Sequence, residues 1–262
     1  FRSRTIDWAA DRVAPGDVVR VQSGVYAERV TPGVNGESVT STVTFVADGA
    51  VTVCGWDFSS RRYIRVIGFV VDTDAGGCAK NNGCVVLSGI NSHLEFWNNV
   101  LQDATYSGIR IGLFDEVSNS LILGNRFANF GVGNGSGMAV AIRGDNNLIA
   151  YNEISNSHPD AFLMAGTNNR WLNNYIHDLS EASGGHADVF QAGSSDRGWS
   201  YNLIEANFQA GMGTQGDEHT AQISHGQASM CSGGCGAMTE NVFRRNVWHN
   251  VSAGTVGINQ TT

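Results

Sequence analysis

Leu123-Gly124-Asn125-Arg126-Phe127 and Ala150-Tyr151-Asn152-Glu153-Ile154 are two copies of the short motif that decides the fold: an apolar run, an asparagine, one further residue and a large apolar residue. The asparagines of the successive copies are Asn99, Asn125, Asn152, Asn174, Asn202 and Asn246, spaced by 26, 27, 22, 28 and 44 residues, and we interpret the last spacing as twice 22. A period in the twenties with short strand-like segments is typical of a solenoid whose coils bury their inner face against one another. Asparagine suits the corner of a coil because it tolerates the left-handed backbone region and can bond to the asparagine of the next coil. We therefore predict an all-β fold, a single-stranded right-handed parallel β-helix.

The length and composition of the chain indicate how many domains it has and which partners it can bind. No linker or charge block divides the 262 residues, so we predict one parallel β-helix domain over 1–262, with the cap and first strands in 1–30 and stacked coils in 43–262. The formal charge is −8, and Lys80 is the single lysine among 16 basic residues, which excludes a nucleic-acid partner because phosphates need a basic face. No apolar run reaches membrane-spanning length, so we expect no membrane partner, and we expect a monomer.

The five cysteines suggest the cellular compartment. Cys78 and Cys84 bracket a Gly/Asn-rich stretch, and Cys231 and Cys235 bracket Ser232-Gly233-Gly234. We predict that each pair closes a small loop as a disulfide and that Cys54 stays single, with reduced thiols in loops as the alternative. Disulfides would indicate a secreted or extracytoplasmic protein.

The first 30 residues carry a more specific pattern. From Thr5 to Val13 the apolar residues have helical spacing with Thr5 as N-cap, and a turn and two strands follow between Pro15 and Val30. Phe1-Arg2 through Glu28 resembles the phrase F-R-T-I-x-x-A-A-x-x-v-x-P-G-D-x-V-x-V-x-x-G-x-Y-x-E, with two extra residues near Thr5. Bacterial secreted β-helix proteins related to pectate lyases and chondroitinase B, in the pectate-lyase-like superfamily, share that phrase. The resemblance, which covers the later coils only in pattern, implies a helix that caps the solenoid and a secreted protein acting on carbohydrate.

A second strand follows each asparagine corner by about ten residues and often ends at glycine. These strands are Gly108–Gly112, Ala139–Gly144, Ala161–Gly166, Asp188–Gly193 and Ala221–Gly226. Alternation along them predicts Ile109, Ile111, Val140 and Ile142 in the core. By the same rule Arg110 and Arg143 face solvent. They lie on an exposed strip of parallel strands, where parallel β-helices have their functional residues.

Acidic residues and histidines gather at the starts of three successive strip strands. His158-Pro159-Asp160 precedes one strand, His186-Ala187-Asp188 the next, 28 residues later, and Asp217-Glu218-His219 with His225 the third. Because stacked coils lie about 4.8 Å apart, we expect Asp160 and Asp188 to be neighbours. When two carboxyl groups lie this close together, the pKa of one of them rises unless a cation offsets their charge. A general acid–base pair and a divalent-cation site both require such an arrangement.

Two reactions fit these residues, and we prefer the first because the opening segment resembles lyases most. In β-elimination from a uronate-containing polysaccharide, Asp160, Asp188 and Asp217 bind Ca²⁺, which acidifies the C–H beside a substrate carboxylate. The base that takes the proton is Arg143, His186 or His225; an epimerase would share this step. In glycoside hydrolysis, Asp160 and Asp188 act as acid and base. The order H-P-D at Asp160, H-A-D at Asp188 and S-H-G at His225 is loosely similar to the N-T-D, D-D and G-H-G series of polygalacturonases.

The remaining candidates complete the predicted site. His158 joins the catalytic set beside Asp160, and the predicted substrate-binding residues are Gln191, Arg110, Glu218 and His219. A non-catalytic glycan-binding or adhesion solenoid is the alternative of a different class. That alternative predicts that Asp160 and Asp188 are scattered or fully exposed, with no groove across the strip.

Overall fold

The computed structural model describes residues 4–79, 81, 83–112, 114–131, 137–157, 159–179, 188–192, 198–212, 223–225 and 239–251. The helix and strands of this part are α1 (Ile6–Ala10), β1 (Val18–Val30), β2 (Val43–Ser59), β3 (Arg62–Ile67), β4 (Val70–Asp72), β5 (Gly83–Ser88), β6 (Ile90–Trp97), β7 (Val100–Gln102), β8 (Ser107–Ile111), β9 (Glu116–Ser118), β10 (Leu121–Leu123), β11 (Arg126–Phe130), β12 (Gly137–Arg143), β13 (Leu148–Ala150), β14 (Glu153–Ser157), β15 (Pro159–Thr167), β16 (Arg170–Leu172), β17 (Tyr175–His177), β18 (Phe190–Ala192), β19 (Trp199–Ser200), β20 (Leu203–Glu205), β21 (Phe208–Met212), β22 (Ile223–His225), β23 (Val242–Arg244) and β24 (Val247–Val251). Nearly all of them are strands, as the prediction of an all-β fold requires.

The strands stack into three parallel sheets to which successive coils contribute in turn, and the short strands β9 and β19 pair at the corner between the third and first sheets. The first sheet runs β3–β6–β10–β13–β16–β20–β23. The second runs β4–β7–β11–β14–β17–β21–β24. The third runs β5–β8–β12–β15–β18–β22. The long strand β2 pairs with the first member of each, so the predicted parallel β-helix is confirmed.

The core lies between the three sheets and is filled by alternate residues of strands such as β3, β7 and β10. Its largest fully buried side chains include Trp56, Phe58, Phe127 and Trp171. At one end α1 closes the core, since Ile6, Ala10 and Val13 belong to the same buried cluster. This is the capping helix that the opening resemblance implied, although it is shorter than the predicted segment and ends at Ala10.

The N-terminus of α1 is held by two acceptors. The hydroxyl of Thr5 accepts the N–H of Trp8 at 3.4 Å, which confirms the predicted N-cap. The carboxylate of Glu28, on β1, accepts the N–H groups of Ile6 and Asp7 at 2.9 and 3.0 Å and so ties the helix to the first coil. Within the described ranges, no helix is long and apolar enough to cross a membrane.

Two ladders of asparagines, buried except for the partly buried Asn241 and Asn246 at their ends, hold the coils together. The first, between the first and second sheets, is Asn99, Asn125, Asn152, Asn174, Asn207 and Asn246. The second, between the third and first sheets, is Asn147, Asn169, Asn202 and Asn241. Side-chain bonding from coil to coil, predicted from the motif, is thereby confirmed. The predicted series is wrong at Asn202, which belongs to the second ladder, because two corners of one coil carry the same motif. The spacing of 44 is not two coils: Asn207 and Asn246 are 39 residues apart on adjacent coils.

The left-handed backbone conformation belongs to the residue before each ladder asparagine. At the first corner these residues are Asn98, Gly124, Tyr151, Asn173, Ala206 and Arg245, with φ between 53° and 64°. The expectation that a single asparagine supplies both the positive φ and the ladder bond is therefore wrong. The ladder asparagine points its amide inward, and the residue before it turns the chain with its side chain outside, where other residue types are accepted.

The disulfide differs from the predicted pairing. Cys54 on β2 bonds Cys78, with a Cα–Cα distance of 5.4 Å and a sequence separation of 24, so the bridge joins adjacent coils. Cys84 is a free, fully buried thiol that donates to the carbonyl oxygens of Val71 and Gln102 at 3.4 and 3.3 Å. The predicted Cys78–Cys84 bridge and the single Cys54 are wrong because β5 points Cys84 into the core. Cys231 and Cys235 lie outside the described residues.

Candidate functional site

The third sheet is where the coils vary most along the chain. The first asparagine ladder keeps the corner between the first and second sheets at two residues, whereas the connections into and out of the third sheet change length from coil to coil. Only residue 158 separates β14 from β15, but residues 178–189 separate β17 from β18. Irregular connections on a rigid scaffold are the usual place for functional side chains. The start of the third sheet is therefore the natural place for a site.

Asp160 and Asp188 lie side by side at this edge. Asp160 is the second residue of β15, and Asp188 stands two residues before β18, in register with Asp160 through the Phe162–Phe190 pair. The backbone N–H of Asp188 donates to Oδ1 of Asp160 at 2.9 Å, and the carbonyl of Asp188 accepts the N–H of Ala161 at 3.0 Å. The predicted adjacency of the two aspartates is confirmed.

Both carboxyls are buried, and this alters the protonation of Asp160. Asp160 is 4% exposed and Asp188 is 0% exposed. Burial raises the pKa of Asp160 well above its ordinary value; the N–H of Asp188 opposes that shift, and the negative charge of Asp188 adds to it. Asp160 therefore keeps its proton at pH values where an exposed aspartate has lost it. The arrangement places a carboxyl with a raised pKa beside a second buried aspartate, the kind of pair that general acid–base catalysis uses.

Arg143 is not where the sequence pattern put it. It ends β12 and is only 9% exposed, so the expected solvent-facing position is wrong. Ala139 and Ala141 of the same strand are also buried, which shows that both faces of β12 are covered. Met138 pairs with Asp160, whereas Arg143 pairs with Ala165. Five residues of strand, roughly 17 Å of backbone, therefore separate Arg143 from the aspartate pair.

Arg110 and Gln191 occupy the outward ladder of the third sheet. Arg110 is exposed as predicted, pairs with Val86, and holds its guanidinium 5.7 Å from the ring centroid of Tyr106. Gln191 is half-buried and pairs with Leu163, which in turn pairs with Ala141. The two residues thus share one outer row of the strip, three coils or about 14 Å apart.

The remaining predicted residues contribute less to the described site. His225 ends β22 and pairs with Ala192, on the coil after Asp188. The others, His158, His186, Asp217, Glu218 and His219, lie outside the described residues.

The described residues do not form a calcium site by themselves. They contain no group of three or more His, Cys, Asp and Glu side chains that could hold a metal ion. Ca²⁺ takes six to eight oxygen ligands, whereas Oδ1 of Asp160 already accepts a backbone N–H. The calcium site predicted with Asp217 stays a prediction.

Ser107 is a residue of this edge that the sequence did not point to. It begins β8, is 0% exposed, and pairs with Met138, which pairs with Asp160. Its hydroxyl has no hydrogen-bond partner within the described part of the chain. A serine at a strand start carries no distinguishing pattern, and only the register of the coils places it in the column of the aspartates.

The comparisons with protein families and curated proteins do not assign a function, so the proposal depends on the residues described above. No protein-family model matches the chain, and no curated protein is significantly similar to it in sequence.

Proposed function

We propose that the protein is a secreted enzyme that cleaves a polysaccharide along the third sheet, with Asp160 and Asp188 as its acid–base pair. The observation that carries the proposal is the hydrogen bond from the backbone N–H of Asp188 to the carboxyl of Asp160, which holds two buried aspartates on adjacent coils side by side, one of them with a raised pKa. A non-catalytic adhesion solenoid predicts scattered or exposed aspartates, which this pair is not. Export is supported by the Cys54–Cys78 disulfide, since such bonds persist in oxidising compartments.

Hydrolysis is the reaction that the pair supports best. Asp160 holds the proton that a leaving glycosidic oxygen needs, and Asp188 accepts a proton from the attacking water. The bond from the anomeric carbon to the leaving oxygen breaks while the bond from that carbon to the water oxygen forms. The distance of Arg143 from the pair weighs against its use as the base of an elimination.

β-Elimination is retained as the second candidate on one observation. Phe1-Arg2 through Glu28 resembles the opening of lyase-type β-helices, and the helix and strands found there agree with that likeness. On the same grounds we propose membership of the pectate-lyase-like superfamily. Under this alternative Ca²⁺, held in part by residues such as Asp217, would acidify the C–H beside a uronate carboxylate.

The test is a panel of neutral and uronate-containing polysaccharides incubated with the protein, with and without Ca²⁺ or a chelator. Reducing ends and ultraviolet absorbance are followed together. Reducing ends without absorbance support hydrolysis, and a rise in both supports elimination. No product from any polysaccharide would count against an enzyme.

Three variants connect the reaction to the pair. Asp160→Asn and Asp188→Asn should each lower the rate by a factor on the order of a hundred or more. Asp145→Asn is the matched control, because Asp145 also accepts a backbone N–H from the next coil, that of Thr167 at 2.8 Å, but at a different corner. Equal rates in all three variants would remove Asp160 and Asp188 from the mechanism.

A further inference from the structure

The outer face of the second sheet carries exposed aromatic rings that the proposed cleavage site does not use. Tyr175 on β17 and Phe208 on β21 are paired in register on adjacent coils and are 42% and 41% exposed. Their ring centroids are 5.6 Å apart at an interplanar angle of 43°. His177 stacks on Tyr175 at 4.5 Å and 21°. We name Tyr175, His177 and Phe208 the aromatic platform.

The aromatic platform is held in place from behind and from the side. Ile176 between Tyr175 and His177 is buried in the core, so alternation turns both rings outward. The imidazole of His177 lies between two carboxylates, with Nε2 3.2 Å from Glu153 and Nδ1 2.7 Å from Asp178. These contacts fix the ring orientation before any ligand arrives, which lowers the entropy cost of binding.

The rim of the aromatic platform identifies the chemistry of its partner. The side chains of Glu153 and Asp178 are 42% and 70% exposed, so their free oxygens can accept hydrogen bonds from a ligand. Arg126 is 3.8 Å from Glu153 and offsets only part of the negative charge. A partner with an apolar face for the rings and hydroxyl donors for the carboxylates fits this surface, whereas a polyanion is repelled. A neutral sugar chain has both features.

We propose that the aromatic platform is a second glycan-binding site, which holds a neutral stretch of the polysaccharide away from the cleavage site. The glycan class rests on the proposed function, but the surface is separate: it lies on the second sheet, whereas Asp160 and Asp188 lie on the third. Exposed rings in consecutive coils follow one another at about the 4.8 Å coil rise. Sugar rings can therefore stack along the solenoid axis.

The test is native affinity electrophoresis through gels that contain neutral polysaccharides such as xylan, glucomannan or mixed-linkage β-glucan, with polygalacturonate as the acidic comparison. Retardation by at least one neutral polysaccharide is expected, and Tyr175→Ala and Phe208→Ala should each weaken it on the order of tenfold. Tyr175→Leu and Phe208→Leu keep apolar volume without the flat ring and should lose binding while remaining folded. Tyr201→Ala is the control, since Tyr201 is 56% exposed at another corner.

The outcomes separate this proposal from the cleavage proposal. Asp160→Asn should bind like the unmodified protein, so retardation that depends on Tyr175 supports the aromatic platform whether or not any polysaccharide is cleaved. Retardation by no neutral polysaccharide, retardation by polygalacturonate alone, or equal retardation of the Tyr175, Phe208 and Tyr201 variants would overturn it. If cleavage is lost in Asp160→Asn while the Phe208 variants bind normally, the cleavage proposal stands and the second site falls.

Discussion

Replacing Asn152 by alanine tests how much the first asparagine ladder contributes to stability. Asn152 is 1% exposed, and its side chain makes four hydrogen bonds: Oδ1 accepts the N–H and the Nδ2 of Asn125, and Nδ2 donates to Ile122 O and to Asn174 Oδ1. The backbone N–H and the amide of Asn125 and the carbonyl of Ile122 then each lose a partner where water does not reach. At about 1–3 kcal/mol for each buried group, we expect a loss near 5 kcal/mol.

The assay has two independent readouts. Equilibrium urea unfolding, followed by far-ultraviolet circular dichroism, gives the change in free energy of unfolding. Repeat proteins can unfold in parts, so hydrogen exchange at the backbone N–H of Asn125 is measured as well. In the unmodified protein this N–H bonds to Asn152 Oδ1 at 2.9 Å and should exchange slowly. In Asn152→Ala it should exchange faster.

Asn173→Gly is the matched control for the same corner. Asn173 is exposed with φ of 53°, a conformation that glycine adopts without strain, so its replacement should change stability by less than about 1 kcal/mol. If Asn152→Ala is as stable as Asn173→Gly and the Asn125 N–H stays protected, the ladder is not a principal source of stability and the reasoning is refuted.

Three further predictions concern single positions. The thiol of Cys84, buried with a raised pKa, should resist alkylation in the native protein and react after unfolding, as measured by mass spectrometry of its peptide; rapid native labelling would contradict its burial. Gly144→Ala should cost at least about 3 kcal/mol in thermal or urea unfolding, because a Cβ at φ of 148° would collide with the carbonyl of Val117, whereas Gly76→Ala has nothing within 4 Å and should be near neutral. Asp160 binds its proton more tightly in the folded than in the unfolded protein, so its contribution to stability falls as the pH rises from the ordinary pKa of 3.8 through the raised pKa. Asp160→Asn keeps the Oδ1 acceptor, and its melting temperature should therefore rise relative to that of the unmodified protein over this pH range. A difference in melting temperature that does not change with pH would show that the pKa is not raised.

The fold could be predicted from local patterns because a solenoid repeats them. Alternation placed Ile109, Val140 and Ile142 in the core, and all three are buried there. Thr5 and the apolar spacing after it predicted α1. The assignment of Asn202 to the wrong ladder shows the limit, because identical local motifs at two corners cannot be told apart until the coils are stacked.

The candidate site was predictable only where one coil length separated its members. Asp160 and Asp188 are 28 residues apart on adjacent coils, so spacing alone indicated their contact. Arg143 could not be placed in this way, since its burial depends on what covers both faces of β12. The bridge from Cys54 to Cys78 was missed because nearness in the sequence suggested Cys84 as the partner of Cys78.

The sequence by itself determined that the chain coils, which residues turn inward, and that two aspartates meet at the start of the third sheet. These properties follow from the alternation of side chains along a strand and from repeated corner residues, which act within a few residues. Only the tertiary structure decided that Asp160 is buried with a raised pKa, that Arg143 lies far from it, and that Tyr175 and Phe208 form an exposed pair. Burial, charge and ring contacts depend on neighbours contributed by other coils, and the register between coils sets which neighbours meet.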